Sequence, residues 1–500
     1  MGHVRHLDEA DFVIVGTGAG GATAARVLAE AGHGVVMLEE GPNLRAADRP
    51  TGLLESMAQG FRDFGTQATS GTTPMPLLQG RLVGGSTAIN SAIIWRMPED
   101  VRLDWIARFG LGDLVAAEGL DRVFAQIERE LDIAETAADL FGGNSLKMEE
   151  AARALGLPGK PIVRNARHCR GRGRCMQGCP TEARLSMDVS YVPQAISDGA
   201  RLHDWCRVEW VTVEGGRATG VVGHLLDPET SRPRERFAVR ARRGVIVAAG
   251  ALHTPVILRR SGLRGLVGDR FQAHPGCAVV GRFPDPITMS YGATQGYEIP
   301  MRAEGFKIES LSLPPEMLAT RVPGAGAEWQ QRIVELDHYA QWVAPIRMKA
   351  HGRVRVGLTG RPVVRFEPTD ADVATAKRAV ALICRMMFAA GATEVYPGLG
   401  HAAEILKSPR EVEELERASL VRADFHFVAS HLFGTACAGA SARHSVVGPD
   451  LQSHDVRRLY VMDASVFPTN MGVNPQHSIM AVVWRGAERL AEEASRAQAA

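Results

Sequence analysis

Asp11-Phe12-Val13-Ile14-Val15-Gly16-Thr17-Gly18-Ala19-Gly20-Gly21 decides the fold. The apolar run 11–15 reads as a buried parallel strand. It enters a glycine turn, a helix-compatible stretch follows over 22–31, and a second apolar strand, Val35 to Leu38, ends in Glu39. This is G-x-G-x-x-G in its full context of strand, turn, helix and strand, with the acid 23 residues after Gly16. Gly16, Gly18 and Gly21 let the backbone turn tightly and approach a pyrophosphate. The helix N-terminus offers it free N–H groups and positive dipole charge. Glu39 is placed to accept hydrogen bonds from a ribose diol. The unit predicts dinucleotide binding, and its glycine pair after Ala19 and early position favour FAD.

Further along, Gly80-Arg81-Leu82-Val83-Gly84-Gly85-Ser86-Thr87-Ala88-Ile89-Asn90 brings another glycine pair, which lets backbone press on a flat ring system. Val245 to Ala249 reads as a buried strand, left through Gly250 toward a helix starting near Thr254. Leu459 to Met462 reads as another, delivering Asp463 at the strand edge where ligands of open parallel sheets gather. A helix or turn cap is the competing role for Asp463. Asn474-Pro475 is a favoured helix start, Asn at the N-cap and Pro in the first turn, before an apolar face at 478, 479, 483, 487 and 490.

These blocks, in order, resemble the glucose–methanol–choline (GMC) oxidoreductases. The stretch 80–90 resembles their first signature. Gly250-Ala251-Leu252-His253-Thr254-Pro255 with Ser261-Gly262 resembles their second, departing at Arg259 and Arg264. Val267-Gly268-Asp269-Arg270-Phe271 leading to His274-Pro275, His431-Leu432-Phe433-Gly434-Thr435, and Asp463 to Pro468 are similar to further family landmarks. The resemblance covers residues 11 to about 492. It implies an α/β fold (α+β overall): a Rossmann-like FAD-binding domain from 1–165, 198–280 and 425–500, and a substrate domain over 281–424 with an antiparallel sheet backed by helices. It implies FAD contacts from Gly84, Gly85, Ser86, Asn90, Val208, Asp463, Ala464 and Pro475. It makes His431 the base that takes a hydroxyl proton, and Asn474 the group that orients the substrate oxygen. His477, one turn into the same helix, is a rival that could face the substrate or simply pack. Where some members bond flavin covalently through His, this chain has Ile89, so FAD is expected to be non-covalent.

Cys169, Cys175 and Cys179-Pro180 form C-x5-C-x3-C-P amid arginines at 164, 167, 170, 172, 174 and 184. The segment 166–197 resembles the cysteine cluster of a sugar-dehydrogenase branch, and the Cys-rich stretch of long-chain alcohol oxidases. Thiolates are the normal iron–sulfur ligands, so a 3Fe–4S or 4Fe–4S cluster is expected. Cys206 and His168 are candidate fourth ligands. Zinc, and free or disulfide-paired thiols, are alternatives. The activity implied is FAD-dependent oxidation of a primary alcohol on a sugar or amino sugar, such as an aminoglycoside precursor, with electrons relayed through the cluster. A flavin-only oxidase using dioxygen and a non-redox hydroxynitrile-lyase-like member are the other readings.

Composition narrows the partners. The 500 residues carry 57 Lys plus Arg and 56 Asp plus Glu, a net charge of +1, against the basic excess of nucleic-acid binders. No apolar run approaches the length of a membrane span. No basic-then-apolar leader opens the chain, and Met1-Gly2 lacks the Ser or Thr of a myristoylation site. Seven cysteines, three crowded into eleven residues, suit a reducing compartment. A cytoplasmic enzyme for a small polar alcohol, with an external electron acceptor, is expected. Residues 290–340 hold seven acidic and four basic residues, compatible with a polar, even cationic, substrate and equally with a solvated face.

Overall fold

The computed structural model describes residues 4–499; Met1-Gly2-His3 and Ala500 lie outside it, and the reading of Met1-Gly2 with them. Strand β1 (Val4–Val15), helix α1 (Ala19–Glu30) and β2 (Val35–Leu38) build the predicted unit, the helix starting three residues earlier than the sequence suggested. The last four residues of β1 and all of β2 are buried on both faces, as helix-covered parallel strands require. Strands β3 (Arg201–His203), β4 (Cys206–Glu214), β5 (Arg217–Leu226) and β6 (Pro233–Val247) complete a seven-stranded sheet in the order β3-β2-β1-β6-β5-β4, with Leu459–Val461 also on β6. The pairs β3–β2, β2–β1, β1–β6 and Leu459–Val461 on β6 are parallel, whereas β4 and β5 add antiparallel ribbons.

After β6 the chain turns through Gly250 (φ +79°) directly into helix α2 (Gly250–Arg260). The helix therefore starts four residues before Thr254. Thr254 accepts a hydrogen bond from Ala249 N–H through its hydroxyl at 3.1 Å, closing the turn from inside the helix.

A second sheet is antiparallel throughout. It contains β7 (Gly276–Arg282), β8 (Tyr297–Ile299), β9 (Ile308–Ser310), β10 (Tyr339–Pro345) and β11 (Glu394–Tyr396), ordered β11-β7-β10-β9-β8, with Lys160–Pro161 on the β8 edge. Helix α3 (Asp370–Ala389) backs it, begun by a Thr369–Asp372 capping box. Strand alternation gives the sheet two faces. Cys277, Val279, Trp342 and Ala344 enter a core beneath it, while Gly276, Ala278, Glu309, Gln341, Val343 and Pro345 line a cavity. The alternating stretches Arg353–Val356 and Pro362–Arg365 are strands, but they form a separate hairpin. Helix α4 (Gln476–Ala499) packs on α1 and closes the core of the first sheet. Among the described residues no helix is long and apolar enough to cross a membrane.

Three glycines hold the site's segments together by close approach. A Cβ on Gly20 would lie 1.9 Å from the Met462 carbonyl oxygen, one on Gly16 would lie 2.5 Å from Ala248 O, and one on Gly85 would lie 2.9 Å from Gly18 Cα. Gly20→Ala pushes α1 off the Leu459–Val461 strand. The expected cost is about 1–3 kcal/mol or more, with loss of bound flavin, read by urea denaturation and by absorbance of the purified protein.

Candidate active site

The ends of both sheets open into one cavity of about 900 Å³. Gly16, Gly18, Glu39, Val208, Asp463 and Ala464 line it on the side of the first sheet. Gly85, Ser86, Ile89, Asn90, Asn474 and Pro475 line it between the sheets, and His431 and His274 stand on the side of the second. Gly21 and Gly84 are not at its wall. A Cβ on Gly21 would meet Gly16 O at 1.9 Å, so its role is helix-on-strand packing, and Gly84 (φ +89°) lies against Asp188.

The dinucleotide end is built for an anion and a sugar. Helix α1 has no side-chain cap at Gly18, so its first N–H groups face the cavity. Glu39 is buried; its Oε2 accepts Thr17 N–H (3.1 Å) and Oγ1–H (2.7 Å), and its Oε1 accepts Gly41 N–H (3.0 Å). Burial pushes its carboxyl up despite those donors. Asp463 does what the capping role requires. It accepts Ser465 N–H (2.7 Å) on one oxygen, and Gly250 N–H (2.8 Å) and Thr254 Oγ1–H (2.6 Å) on the other. It thereby ties the last strand to α2 while still bordering the cavity.

Asn90 donates through Nδ2 to Gln476 Oε1 at 2.7 Å, joining the glycine signature to the first residue of α4. Ser86 Oγ accepts Gly80 N–H at 3.0 Å. Two buried polar atoms here have no partner in the protein, Asn474 Oδ1 and Gln476 Nε2. Such atoms are rare without a ligand to satisfy them. Together with the uncapped helix end and the glycine cradle, they fit FAD.

At the other end, His431 Nδ1 lies 3.1 Å from His274 Nδ1, the rings stacked with centroids 5.3 Å apart. The backbone repeats the link, His274 N–H donating to His431 O at 3.0 Å. Burial, and then the nearby Lys307 ammonium, hold His431 down at about 3, while burial and His431 hold His274 well below its usual value. Both rings are neutral at physiological pH. Lys307 is fully buried, with Glu298 Oε2 at 2.7 Å and Glu309 Oε1 at 2.5 Å. Burial lowers its affinity for a proton, but the two carboxylates more than reverse that. His477 is not in the cavity. It packs edge-on against Phe124 at 4.6 Å, and burial pulls it down to about 4. Of its two expected roles, packing is the one the structure shows.

The cysteine segment is a correction. Among the described residues no group of three or more His, Cys, Asp or Glu is placed to hold a metal ion. Cys169, Cys175 and Cys179 do not form a ligand set, and neither His168 nor Cys206 completes one. Two of the arginines read as thiolate partners, Arg164 and Arg184, do lie beside Cys175, and Arg184 has further work. Arg184, fully buried, donates to the carbonyls of Asn90 and Cys175 (2.6 Å each) and of Ala88. Arg49 pairs with Asp188 in the same layer. The loop is thus strapped beneath the first signature by backbone carbonyls. Cys175 alone is buried, with Arg164 Nη2 3.3 Å from its sulfur. Burial raises its thiol, and Arg164 and Arg184 bring it below the ordinary value. Cys206 sits in β4, its thiol pushed up to about 12 by burial.

Sequence reasoning missed three features. His274 was visible only as a landmark. Glu40 and Arg62 form an ion pair at 2.9 Å on the cavity wall, where burial is overcome by Arg62 and Glu40 is held at about 2. Arg321 also borders the cavity.

The chain matches the GMC oxidoreductase family over residues 10–276 and again over 349–482, and it belongs to that family. It is 36% identical over 481 residues to an uncharacterized GMC-type oxidoreductase of Mycobacterium tuberculosis, covering 95% of this chain and 75% of the relative. It is 28% identical to a long-chain-alcohol oxidase of Arabidopsis thaliana, over 95% of this chain and 68% of that one. The fold is that of formate oxidase from Aspergillus oryzae RIB40, with a TM-score of 0.75 at 16% identity over 99% of this chain and 100% of the other. The protein is an FAD oxidoreductase.

Purified holoprotein is expected to carry far less than one iron or zinc per chain by elemental analysis, and Cys169→Ser with Cys179→Ser is expected to keep its flavin. Arg184→Leu strands three buried carbonyls, at about 1–3 kcal/mol each, and is expected to unfold at lower urea concentration with flavin released first.

Proposed function

We propose that the protein oxidises a primary alcohol to the aldehyde, with His431 as the proton acceptor and Asn474 as the group that holds the hydroxyl. The Nδ1–Nδ1 contact of His431 and His274 at the cavity wall carries this reading. Two neutral imidazoles joined through Nδ1 share one hydrogen. When His431 holds it, its Nε2 lone pair is free to accept a proton, and the hydrogen bond to His274 fixes the ring. Asn474 lines the same cavity, where its Nδ2–H group can donate to a substrate oxygen. FAD, held by the α1 N-terminus, Glu39, Val208, Asp463, Ala464 and Pro475, supplies the acceptor for the hydride that leaves the carbinol carbon.

His431 stays neutral without a counter-ion because burial and Lys307 disfavour its charged form. Proton acceptance then depends on the hydroxyl proton reaching a lone pair that water does not compete for. The division proposed is FAD-binding stretches at 1–165, 198–280 and 425–500 and a substrate part at 281–424, with His274 and His431 of the FAD-binding stretches reaching the substrate side. The side-chain amides of Gln295 and Gln341 on the substrate wall support a polar substrate, such as a sugar or amino-sugar alcohol.

A second reading concerns the electron acceptor. The cysteines do not form a cluster ligand set, and relatives at 24–28% identity are named long-chain-alcohol oxidases. Both support an oxidase that returns electrons to dioxygen. Hydrogen peroxide formed in step with aldehyde would bear this out; turnover only with an added dye would favour a dehydrogenase.

His431→Ala is expected to slow alcohol-dependent bleaching of the flavin by 100-fold or more under argon. Unchanged bleaching would remove His431 from the mechanism. The rate is expected to show no inflection near the ordinary histidine value of about 6.5, and to fall only as pH approaches about 3. Stability behaves differently. The unfolded chain takes up protons below about 6.5 that the buried imidazoles refuse, so unfolding free energy declines from that pH downward.

A further inference from the structure

Three of the four basic residues of 290–340 are paired once the chain is folded. Of the four basic residues there, Arg302 pairs with Asp100 (2.9 Å), Lys307 with Glu298 and Glu309 (2.7 and 2.5 Å), and Arg332 with Glu328 (2.8 Å). Arg321 is the exception. It follows the apolar stretch after β9, in which Leu311, Leu313 and Met317 also line the cavity. Its side chain is half-buried and makes no hydrogen bond, ion pair or ring contact among the described residues. Glu309, the carboxylate on the same wall, is already satisfied by Lys307 and by Gln295 Nε2 at 2.7 Å. The titratable group close enough to matter is Cys277, and burial pushes its thiol far up, so it is neutral and no counter-ion. A half-buried guanidinium with no anion beside it leaves its fork of donors unmet, and burial draws Arg321 below its ordinary value.

We infer that Arg321 is the anion-recognising residue of the substrate wall, and that the alcohol oxidised here carries a carboxylate or phosphate joined to its carbinol by an apolar or polyol segment. This rests on the reading of the cavity as an alcohol site. The planar fork of Arg suits a bidentate carboxylate or phosphate, and the cavity supplies what such a ligand needs on either side. Leu311, Leu313, Met317 and Val343 cover its stem, and His431 stands at the same cavity for its hydroxyl.

The test is isothermal titration of the flavin-loaded protein with straight-chain ω-hydroxycarboxylates and gluconate, against diols of equal length and glucitol. The same titrations are made on Arg321→Gln and Arg321→Lys. In the native protein at least one carboxylate is expected to bind about 10-fold or more tighter than its neutral partner, the size of a charge-assisted contact. The preference is expected to vanish in Arg321→Gln and return in part in Arg321→Lys. Equal binding of acid and diol, no binding of any acid, or a preference that survives Arg321→Gln overturns the inference. If Arg321→Gln fails to fold, the native comparison and Arg321→Lys decide. Anaerobic flavin bleaching by the same compounds is read separately. Tight acids that leave the flavin oxidised would contradict alcohol oxidation and leave the anion site standing.

Discussion

Everything in the site depends on backbone meeting backbone where a side chain would not fit. Gly20 lies on the Met462 carbonyl, Gly16 on Ala248 and Gly85 on Gly18. These contacts bring together strand ends from residues 15, 247 and 461 with a turn from the first signature. Asp463 then locks the arrangement by bridging Ser465, Gly250 and Thr254, and Asn90 locks the turn to the start of α4 through Gln476. Cofactor and catalytic residues are thereby held by rigid element ends rather than by mobile loops, which is what a site requires if its geometry is to be held to a fraction of an ångström.

Charge is handled in the opposite way at the two ends of the cavity. The dinucleotide end concentrates N–H donors, which satisfy Glu39 and Asp463, and it pairs Glu40 with Arg62. The substrate end keeps its central residues uncharged. Lys307 is neutralised by two glutamates, and its residual field, with burial, keeps both histidines as free bases. Arg321 lines the cavity with no ion pair among the described residues.

What was legible in the sequence was what is local. The first forty residues declare strand, turn, helix and strand because glycine spacing and apolar runs are read within one unit. The ordered landmarks gave the family for the same reason. Features that need two distant segments were not legible. His274 and His431 are 157 residues apart and Glu40 and Arg62 are 22 apart, and no local pattern announces either pair. The helix after Gly250 starts early because Thr254 caps the turn from within it, which propensity does not reveal. The cysteines show the converse error. Spacing and resemblance suggested a ligand set, but among the described residues no group of three or more His, Cys, Asp or Glu is placed to hold a metal ion. Counting charge over 290–340 does not show which charges are paired, since pairing is decided by the fold.

In the proposed mechanism His431 carries its hydrogen on Nδ1, toward His274, leaving Nε2 as the proton acceptor. Nitrogen-15 NMR of histidine-labelled, flavin-loaded protein, assigned with His431→Gln and His274→Gln, measures this directly. The account predicts a neutral His431 in the Nδ1–H tautomer across pH 5 to 8, the range in which an ordinary imidazole titrates at about 6.5. An imidazolium in that range, or a hydrogen on Nε2, would contradict it.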